Sequence, residues 1–280
     1  MTRPPDGLRI APMRVADLAL VLDWAAEEGW NPGLDDAAAF HGADPGGFLM
    51  GWVDGAPAAA ISVVRHSPDF AFLGLYLCRP KWRGRGVGWA LWQAGMALAG
   101  SRTVGLDGVP AQQENYRRSG FVPAGRTVRC TGEVPPEPLD GPAGGDAGAV
   151  AALDRAATGV ARPAFLAAWL RDTPDRRSLC LMQDGSVAGF GTVRRCREGV
   201  KVGPLTAAAP EGARRLLGAL AGVFPDRPLV LDVPDANPAA IRLARDLGMA
   251  ESFETARMYR GPRPATDPAL TWGVATLELG

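Results

Sequence analysis

Fourteen residues near the middle of the chain, 132–145 (Gly-Glu-Val-Pro-Pro-Glu-Pro-Leu-Asp-Gly-Pro-Ala-Gly-Gly), can form neither a helix nor a central strand. Proline fixes φ and removes a backbone donor, so the stretch reads as a linker dividing the chain in two. Each side of it carries the same order of signals. In the first half the patterns predict a helix over 15–27, a hairpin of 48–53 and 58–64 turning at Asp54-Gly55, and a strand over 70–78. A helix over 87–99, a strand over 103–107, a helix over 112–119 and a strand over 121–131 follow. The second half predicts helices over 147–157 and 165–170, then a hairpin of 178–183 and 187–194 turning at Asp184-Gly185. Strand 199–205, helix 210–223, strand 228–233, helix 238–247 and strand 252–260 complete it. Asp-Gly supplies the positive φ that a tight hairpin requires.

The alternation implies an α/β chain of two tandem copies of one fold, 1–131 and 146–280, with mixed sheets flanked by helices. The late segments align: Tyr116-Arg-Arg-Ser-Gly120-Phe121 lies against Ala244-Arg-Asp-Leu-Gly248-Met249. The tail, 269–279, alternates apolar and polar residues and is expected to be a strand. The first half shows no strand after 131 to close its own sheet. The tail is therefore expected either to complete the second sheet or to cross over to the first.

Hydrophobic residues make up 47% of the 280, enough for a packed core. Thirty Lys and Arg balance thirty Asp and Glu. That argues against non-specific nucleic-acid binding, which needs a basic excess. The four cysteines (Cys78, Cys130, Cys180, Cys196) form no CxxC pair and have only His41 and His66 to join them, so no metal site is expected. Isolated thiols among apolar neighbours suit a reducing, cytoplasmic location. Residues 1–14 lack the apolar core of a signal peptide, and no apolar run is long enough for a membrane span.

Chemistry concentrates in Gly74-Leu-Tyr-Leu-Cys-Arg-Pro-Lys-Trp-Arg-Gly-Arg-Gly-Val-Gly-Trp-Ala-Leu-Trp92. A strand ends near Pro80, an arginine- and glycine-rich loop follows, and a helix begins. Backbone N–H groups and a helix N-terminus there would close on an anion, with Lys81, Arg83 and Arg85 adding full charges. The P-loop pattern is not met at Val87-Gly88-Trp89, and the dinucleotide fingerprint fails because Trp89 takes the third glycine position. The pattern Arg/Gln-x-x-Gly-x-Gly/Ala is met by Arg83, Gly86 and Gly88.

On this loop the chain resembles the GNAT N-acetyltransferase superfamily, and Tyr116-x-x-x-Gly120-Phe121 agrees. Gly29-Trp-Asn-Pro-Gly33, Leu106-Asp-Gly-Val-Pro110 and Leu277-Glu-Leu-Gly280 further resemble a tandem GNAT subfamily. The resemblance implies a mostly antiparallel α+β GNAT fold in each half and acetyl-CoA as cosubstrate. Leu77, Cys78, Arg83, Gly84, Arg85, Gly86, Val87, Gly88 and Asn115 are the implied cofactor-binding residues. The strands over 75–78 and 103–107 are expected to splay, so that the pantetheine arm adds like a strand. A backbone N–H near Leu77 or Cys78 would polarise the thioester carbonyl. Tyr116 is the implied acid for the leaving thiolate. The proton acceptor is left open among Glu28, its neighbour Glu27, and Asp107. Trp30, Asn31 and Phe48 are candidates for the acceptor pocket. His66 and His41 are read as surface or capping residues.

The second half departs from the pattern. Lys201-Val-Gly-Pro-Leu-Thr-Ala stands at the loop position, Pro204 removes a donor, and Ala244 replaces Tyr116. This half is expected not to bind acetyl-CoA but to cover one side of the acceptor cleft. The expected acceptor is the primary amine of a small molecule, attacking directly. Acetylation of protein lysines or N-termini and a non-catalytic acyl-CoA sensor are the alternatives. No nucleic acid or membrane partner is expected, and a homodimer is left open.

Overall fold

The computed structural model describes residues 3–139, 145–225 and 227–280. The first half runs β1 (Leu8–Pro12), α1 (Val15–Glu27), α2 (Asp36–Ala43), β2 (Phe48–Val53), β3 (Ala56–Arg65), β4 (Phe70–Cys78), α3 (Val87–Ala99), β5 (Thr103–Gly108), α4 (Gln113–Arg118) and β6 (Val122–Gly132). The second runs α5 (Ala147–Thr158), α6 (Pro163–Trp169), β7 (Arg176–Gln183), β8 (Ser186–Arg195), β9 (Val200–Ala207), α7 (Pro210–Val223), β10 (Leu229–Pro234), α8 (Pro238–Asp246), β11 (Ala250–Arg260) and β12 (Thr271–Gly273). Both Asp-Gly hairpins form as expected. Asp54 and Gly55 have φ of 52° and 80°, and Asp184 and Gly185 have 49° and 76°. These left-handed pairs twist the way the strands do. β1 and α2 escaped the sequence pattern, because the Ala-rich segment 36–43 offers little periodic contrast and β1 is short.

The strands join into one sheet, in the order β1-β2-β3-β4-β5-β11-β6-β10-β9-β8-β7. The two halves thus exchange their last strands. β11 pairs with β5, β6 pairs with β10, and β6 and β11 pair with each other from Ala250↔Thr131 to Tyr259↔Val122. The first half's missing neighbour is therefore a strand of the second. The repeat seen in the sequence is real in its elements, while the sheet runs across it.

Helices α1, α2, α5 and α6 cover one face of the sheet, burying Leu18, Phe40, Phe165 and Trp169 against Met50, Leu75 and Phe190. On the other face α3 packs over the first half and α7 and α8 over the second. Asp36 of α2 fastens the helical layer to the second half. Its fully buried carboxylate meets Arg176 Nη2 at 2.6 Å and Arg194 Nε at 3.2 Å. Both guanidiniums lie over Trp169, at 4.3 and 4.7 Å from its ring centroid.

The expected linker packs along α7 where it is described: Glu137 N–H donates to Gly218 O (3.2 Å) and its carboxylate pairs with Arg214. Residues 140–144 of it lie outside the described residues. The tail adds a short strand to the second half of the sheet and none to the first, whose open edge β11 takes. Only Thr271–Gly273 is strand, antiparallel to β9. The chain then crosses to the first half, where Leu279 O meets His66 Nε2 at 2.8 Å.

Candidate active site

β4 leads into the loop that carries the sequence motif. Pro80–Trp82 form a 3-10 turn, and Arg83 to Gly86 complete the reversal into α3. Gly84 and Gly86 have φ of 73° and 78°, a left-handed conformation that costs other residues about 1–2 kcal/mol. The N–H groups of Val87, Gly88 and Trp89 open the helix and have no intrahelical acceptor. Gly88 also keeps the path narrow but clear, since a Cβ there would lie 3.2 Å from Tyr76 Oη. Arg83 is held by two contacts: Nε donates to Cys78 O (2.9 Å) and Nη2 pairs with Glu28. Lys81 and Arg85 flank the Trp82 ring, at 5.0 and 5.6 Å from its centroid. A cavity of about 600 Å³ opens in front of this loop, lined by Leu77, Cys78, Arg83, Gly84, Gly86 and Gly88 among others.

β4 and β5 pair in parallel from Phe70↔Thr103 to Leu73↔Leu106 and then separate. A bulge explains the parting. Gly74 faces Ser62 and Leu77 faces Ala60, leaving Leu75 and Tyr76 opposite one residue, and Leu75 has φ of 44°. Bulges bend and over-twist the strand that carries them. Beyond the bulge Arg79 N–H donates to Ala58 O (2.9 Å) and Cys78 faces Ala59. The Cys78 pair is therefore a non-hydrogen-bonded one, and its N–H and C=O point away from β3 into the gap. The C=O takes Arg83, so the Cys78 N–H, rather than that of Leu77, faces the opening.

The gap ends in a smaller cavity of about 80 Å³ that shares Trp30, Tyr76, Val109 and Gln112 with the larger one. Tyr116 reaches it from α4, its ring stacked on Trp92 (5.8 Å) and edge-on to Phe121 (6.2 Å). Burial, with Tyr76 nearby, raises the Tyr116 phenol well above its ordinary value, so it keeps its proton at neutral pH. Tyr76 is pushed up to about 12 by burial and by Cys78. The far wall comes from the second half: Phe253 and Thr255 of β11, and Leu277 and Glu278 of the tail.

Several expected residues land elsewhere. Phe48 is fully buried in the core beside Phe40 (6.5 Å) and lines neither cavity. Asn31 is a tie to the β8–β9 turn: its Nδ2 donates to Glu198 O (2.7 Å) and its Oδ1 accepts from Glu198 N (3.1 Å). Asp107 borders the smaller cavity, but both its oxygens are taken by Arg257 of β11, at 2.9 and 2.8 Å. Glu27 and Glu28 pair with Arg79 and Arg83. Asn115 is exposed and donates to Gln112 Oε1 (2.8 Å); it is Gln112 that lines the cavities. His66 is a packed residue rather than a surface one, driven down to about 4 by burial and by Arg162. Sequence reasoning missed Tyr76, Gln112, Arg129, Thr255 and Glu278. Only Tyr76 had a local signal, its alternation with Cys78 along β4.

The second half has the same parting and fills it. β10 pairs with β9 from Leu229↔Val200 to Leu231↔Val202 and then leaves it. β12 enters the opening with Thr271↔Thr206 and Gly273↔Leu205, Val274 N–H donates to Asp232 O (2.9 Å), and Trp272 Nε1 donates to Ala207 O (3.0 Å). Lys201 is buried in β9, its Nζ on Trp30 O at 2.9 Å.

Two family profiles match the chain, the Acetyltransferase (GNAT) family over residues 16–121 and the Acetyltransferase (GNAT) domain over 150–272. The holothin acyltransferase of Pseudoalteromonas sp. (strain SANK 73390) is 33% identical over 276 residues, 96% of this chain and 93% of that protein. The chain belongs to the GNAT acetyltransferase family. Its fold agrees with solved GNAT structures. A putative acetyltransferase from Pyrococcus horikoshii superposes with a TM-score of 0.84 at 21% identity, over 100% of this chain and 98% of that one. A tandem GNAT protein from the clavulanic acid biosynthesis pathway gives 0.62 at 19% identity, over 91% and 99%. GNAT proteins use acyl-CoA as donor. The parted strands, the open-conformation glycines and the uncommitted helix N–H groups of the first half fit such a ligand. Among the described residues no cluster of three or more His, Cys, Asp or Glu is placed to hold a metal ion, and no helix is long and apolar enough to cross a membrane.

Proposed function

We propose that this GNAT protein is an acetyl-CoA-dependent N-acetyltransferase acting on the primary amine of a small molecule. The observation that carries the reading is a pair of adjoining cavities, one in front of the Arg83–Gly88 loop and a smaller one walled partly by the other half of the chain, that share Trp30, Tyr76, Val109 and Gln112. Arg83, Arg85 and the N–H groups of Gly86 to Gly88 would hold the diphosphate. The exposed edge of β4 would take the pantetheine arm as an added strand. Bound there, the donor supplies an activated acyl thioester. The Cys78 N–H is aimed to stabilise charge growing on the carbonyl oxygen. Tyr116 keeps its proton and stands at the gap, suited to protonate a departing thiolate. Direct attack needs no acyl-enzyme nucleophile. An acceptor site of about 80 Å³, closed by Phe253, Thr255 and the tail, favours a small molecule over a polypeptide.

The second half contributes walls instead of a second cofactor site, because β12 occupies the strand position a pantetheine would need. One acetyl-CoA per chain is expected. The free thiols suit a cytoplasmic setting. The name of the 33% identical relative makes holothin the first acceptor to assay.

Isothermal titration of acetyl-CoA, followed by thiol release with holothin, phenethylamine, cadaverine and glucosamine, tests the reading. A stoichiometry of one and amine-dependent release are expected. Gly86→Glu puts a side chain and a negative charge where φ is 78°. Like-charge juxtaposition costs several kcal/mol, so affinity should fall by at least ~100-fold. Unchanged affinity in a folded Gly86→Glu protein refutes the loop assignment, and binding without turnover on any amine leaves a sensor instead of an enzyme.

A further inference from the structure

Resting on the acetyltransferase reading above, we infer that Glu278 of the tail is the catalytic residue that receives the acceptor's ammonium group and takes its proton, with the Thr255 hydroxyl as second ligand. The tail is fastened as a positioned element. Arg194 Nη1 donates to Ala275 O (3.4 Å), His66 Nε2 lies 2.8 Å from Leu279 O, and Arg162 Nη1 donates to Gly280 O. Gly74 admits it: a Cβ there would stand 2.1 Å from Glu278 O. The backbone of Glu278 thus lies against β4 where the strand begins to leave β5, and Glu278 lines the smaller cavity with Tyr76 and Tyr116.

The carboxylate is 6% exposed and lacks a cationic partner at ion-pair distance among the described residues. One oxygen accepts the Thr276 hydroxyl; the other accepts no hydrogen bond from the described residues. Arg129, Arg194 and Lys201 lie in the field of this carboxylate, but each hydrogen-bonds elsewhere. Arg129 holds Asp232 at 2.7 and 2.9 Å, Arg194 holds Asp36 at 3.2 Å, and Lys201 holds Trp30 O at 2.9 Å. The Cys196 thiol also lies in the field of Glu278. Across the cavity stand the two tyrosines and Asp107, the last neutralised by Arg257.

A second, independent sign comes from β11. Thr255 Oγ1 is buried, lines the same cavity and has no hydrogen-bond partner. Buried polar groups are normally paired. An ammonium donates to both acceptors, whereas an acceptor with a carboxylate next to its amine would bring a second negative charge against Glu278. In the step itself the ammonium gives one proton to the free Glu278 oxygen. The nitrogen lone pair forms the C–N bond as the thioester C–S bond breaks, and the departing sulfur takes the Tyr116 proton. The second surplus amine proton returns to Tyr116 through water, and Glu278 releases its own to solvent.

The test compares the full-length parent with Glu278→Gln and Glu278→Asp. Readouts are amine-dependent thiol release, acetyl-CoA affinity, melting temperature, and amine binding in the presence of CoA by tryptophan fluorescence. Glu278→Gln should lose ~10²–10⁴-fold in kcat while binding acetyl-CoA within twofold of the parent and binding the amine more weakly. Its residual rate should climb with pH toward the amine's own pKa of ~10.4. Glu278→Asp should keep a carboxylate-dependent limb in the pH profile. Turnover of Glu278→Gln within threefold of an active parent overturns the inference alone. Equal losses in both variants accompanied by loss of acetyl-CoA affinity show a packing role and overturn it too. A parent that releases thiol with no amine overturns the proposed function, and this assignment with it.

Discussion

Asp36→Asn measures how far the two halves depend on a single buried charge. Asp36 accepts from Gly33 N (2.8 Å), Arg176 Nη2 (2.6 Å) and Arg194 Nε (3.2 Å), and all three groups are buried away from water. Arg176 keeps a second carboxylate, Asp35 at 3.0 Å. Among the described residues Arg194 keeps one hydrogen-bond acceptor, the Ala275 carbonyl at 3.4 Å. Removing the charge while keeping the shape strands one guanidinium almost fully, and breaking a buried pair in this way costs about 3–5 kcal/mol. At ~2–4 °C per kcal/mol for a chain near this size, the melting temperature should fall by roughly 10 °C. Urea unfolding at pH 7, followed by the fluorescence of Trp169 and the other tryptophans, reads the loss. Adding Arg194→Met to Asp36→Asn should recover part of it, because the stranded charge goes as well. The pH dependence has a definite sign. Burial opposes the Asp36 charge, but Arg194 and Arg176 outweigh it and hold the carboxyl below its usual range. Its contribution is therefore complete above the unfolded value of ~3.9 and is lost as pH falls through the depressed folded value, where the gap between parent and variant closes. A loss under ~1 kcal/mol at pH 7, or a double variant weaker than Asp36→Asn alone, refutes the reasoning.

Two further outcomes concern the site. Tyr116→Phe keeps the stack on Trp92 and Phe121, so stability and acetyl-CoA affinity should hold while kcat drops ~10²-fold in a thiol-release assay, near the low end for lost acid catalysis. Gly74→Ala brings a methyl group to 2.1 Å from Glu278 O and 2.9 Å from its Cα, all backbone, so the tail must shift at a cost of about 1–3 kcal/mol. Because ~1 Å of misplacement can cost 10²-fold, amine-dependent turnover should fall at least tenfold with acetyl-CoA titration unchanged; unaltered turnover would mean that the tail does not position the acceptor.

Misplaced candidates share one cause. Asn31, Phe48 and Asp107 were reasonable from their neighbours in sequence, but their partners are Glu198, Phe40 and Arg257. Two of these three partners lie more than a hundred residues away. A carboxylate ending a strand looks free until a guanidinium from another strand takes both oxygens. Glu278 stands in the sequence only as part of the closing Leu277–Gly280 motif, for the converse reason: nothing beside it in the chain indicates that it will pass Gly74.

Local patterns are sufficient for the hairpins, for most of the helices and for the Arg83–Gly88 motif, and so for the family. Those features arise from φ preferences, hydrophobic periodicity and the spacing of glycines, which act over a few residues. Which strand closes each sheet is another matter. β6 and β11 have similar patterns, and the exchange that seats β11 beside β5 is decided by long-range pairing once both halves are assembled. That exchange, and the tail that plugs one gap before lining the other, bring Thr255 and Glu278 to the cavity beside Tyr76 and Tyr116. That cavity therefore belongs to the tertiary structure, because its walls come from segments that meet only when the sheet is complete.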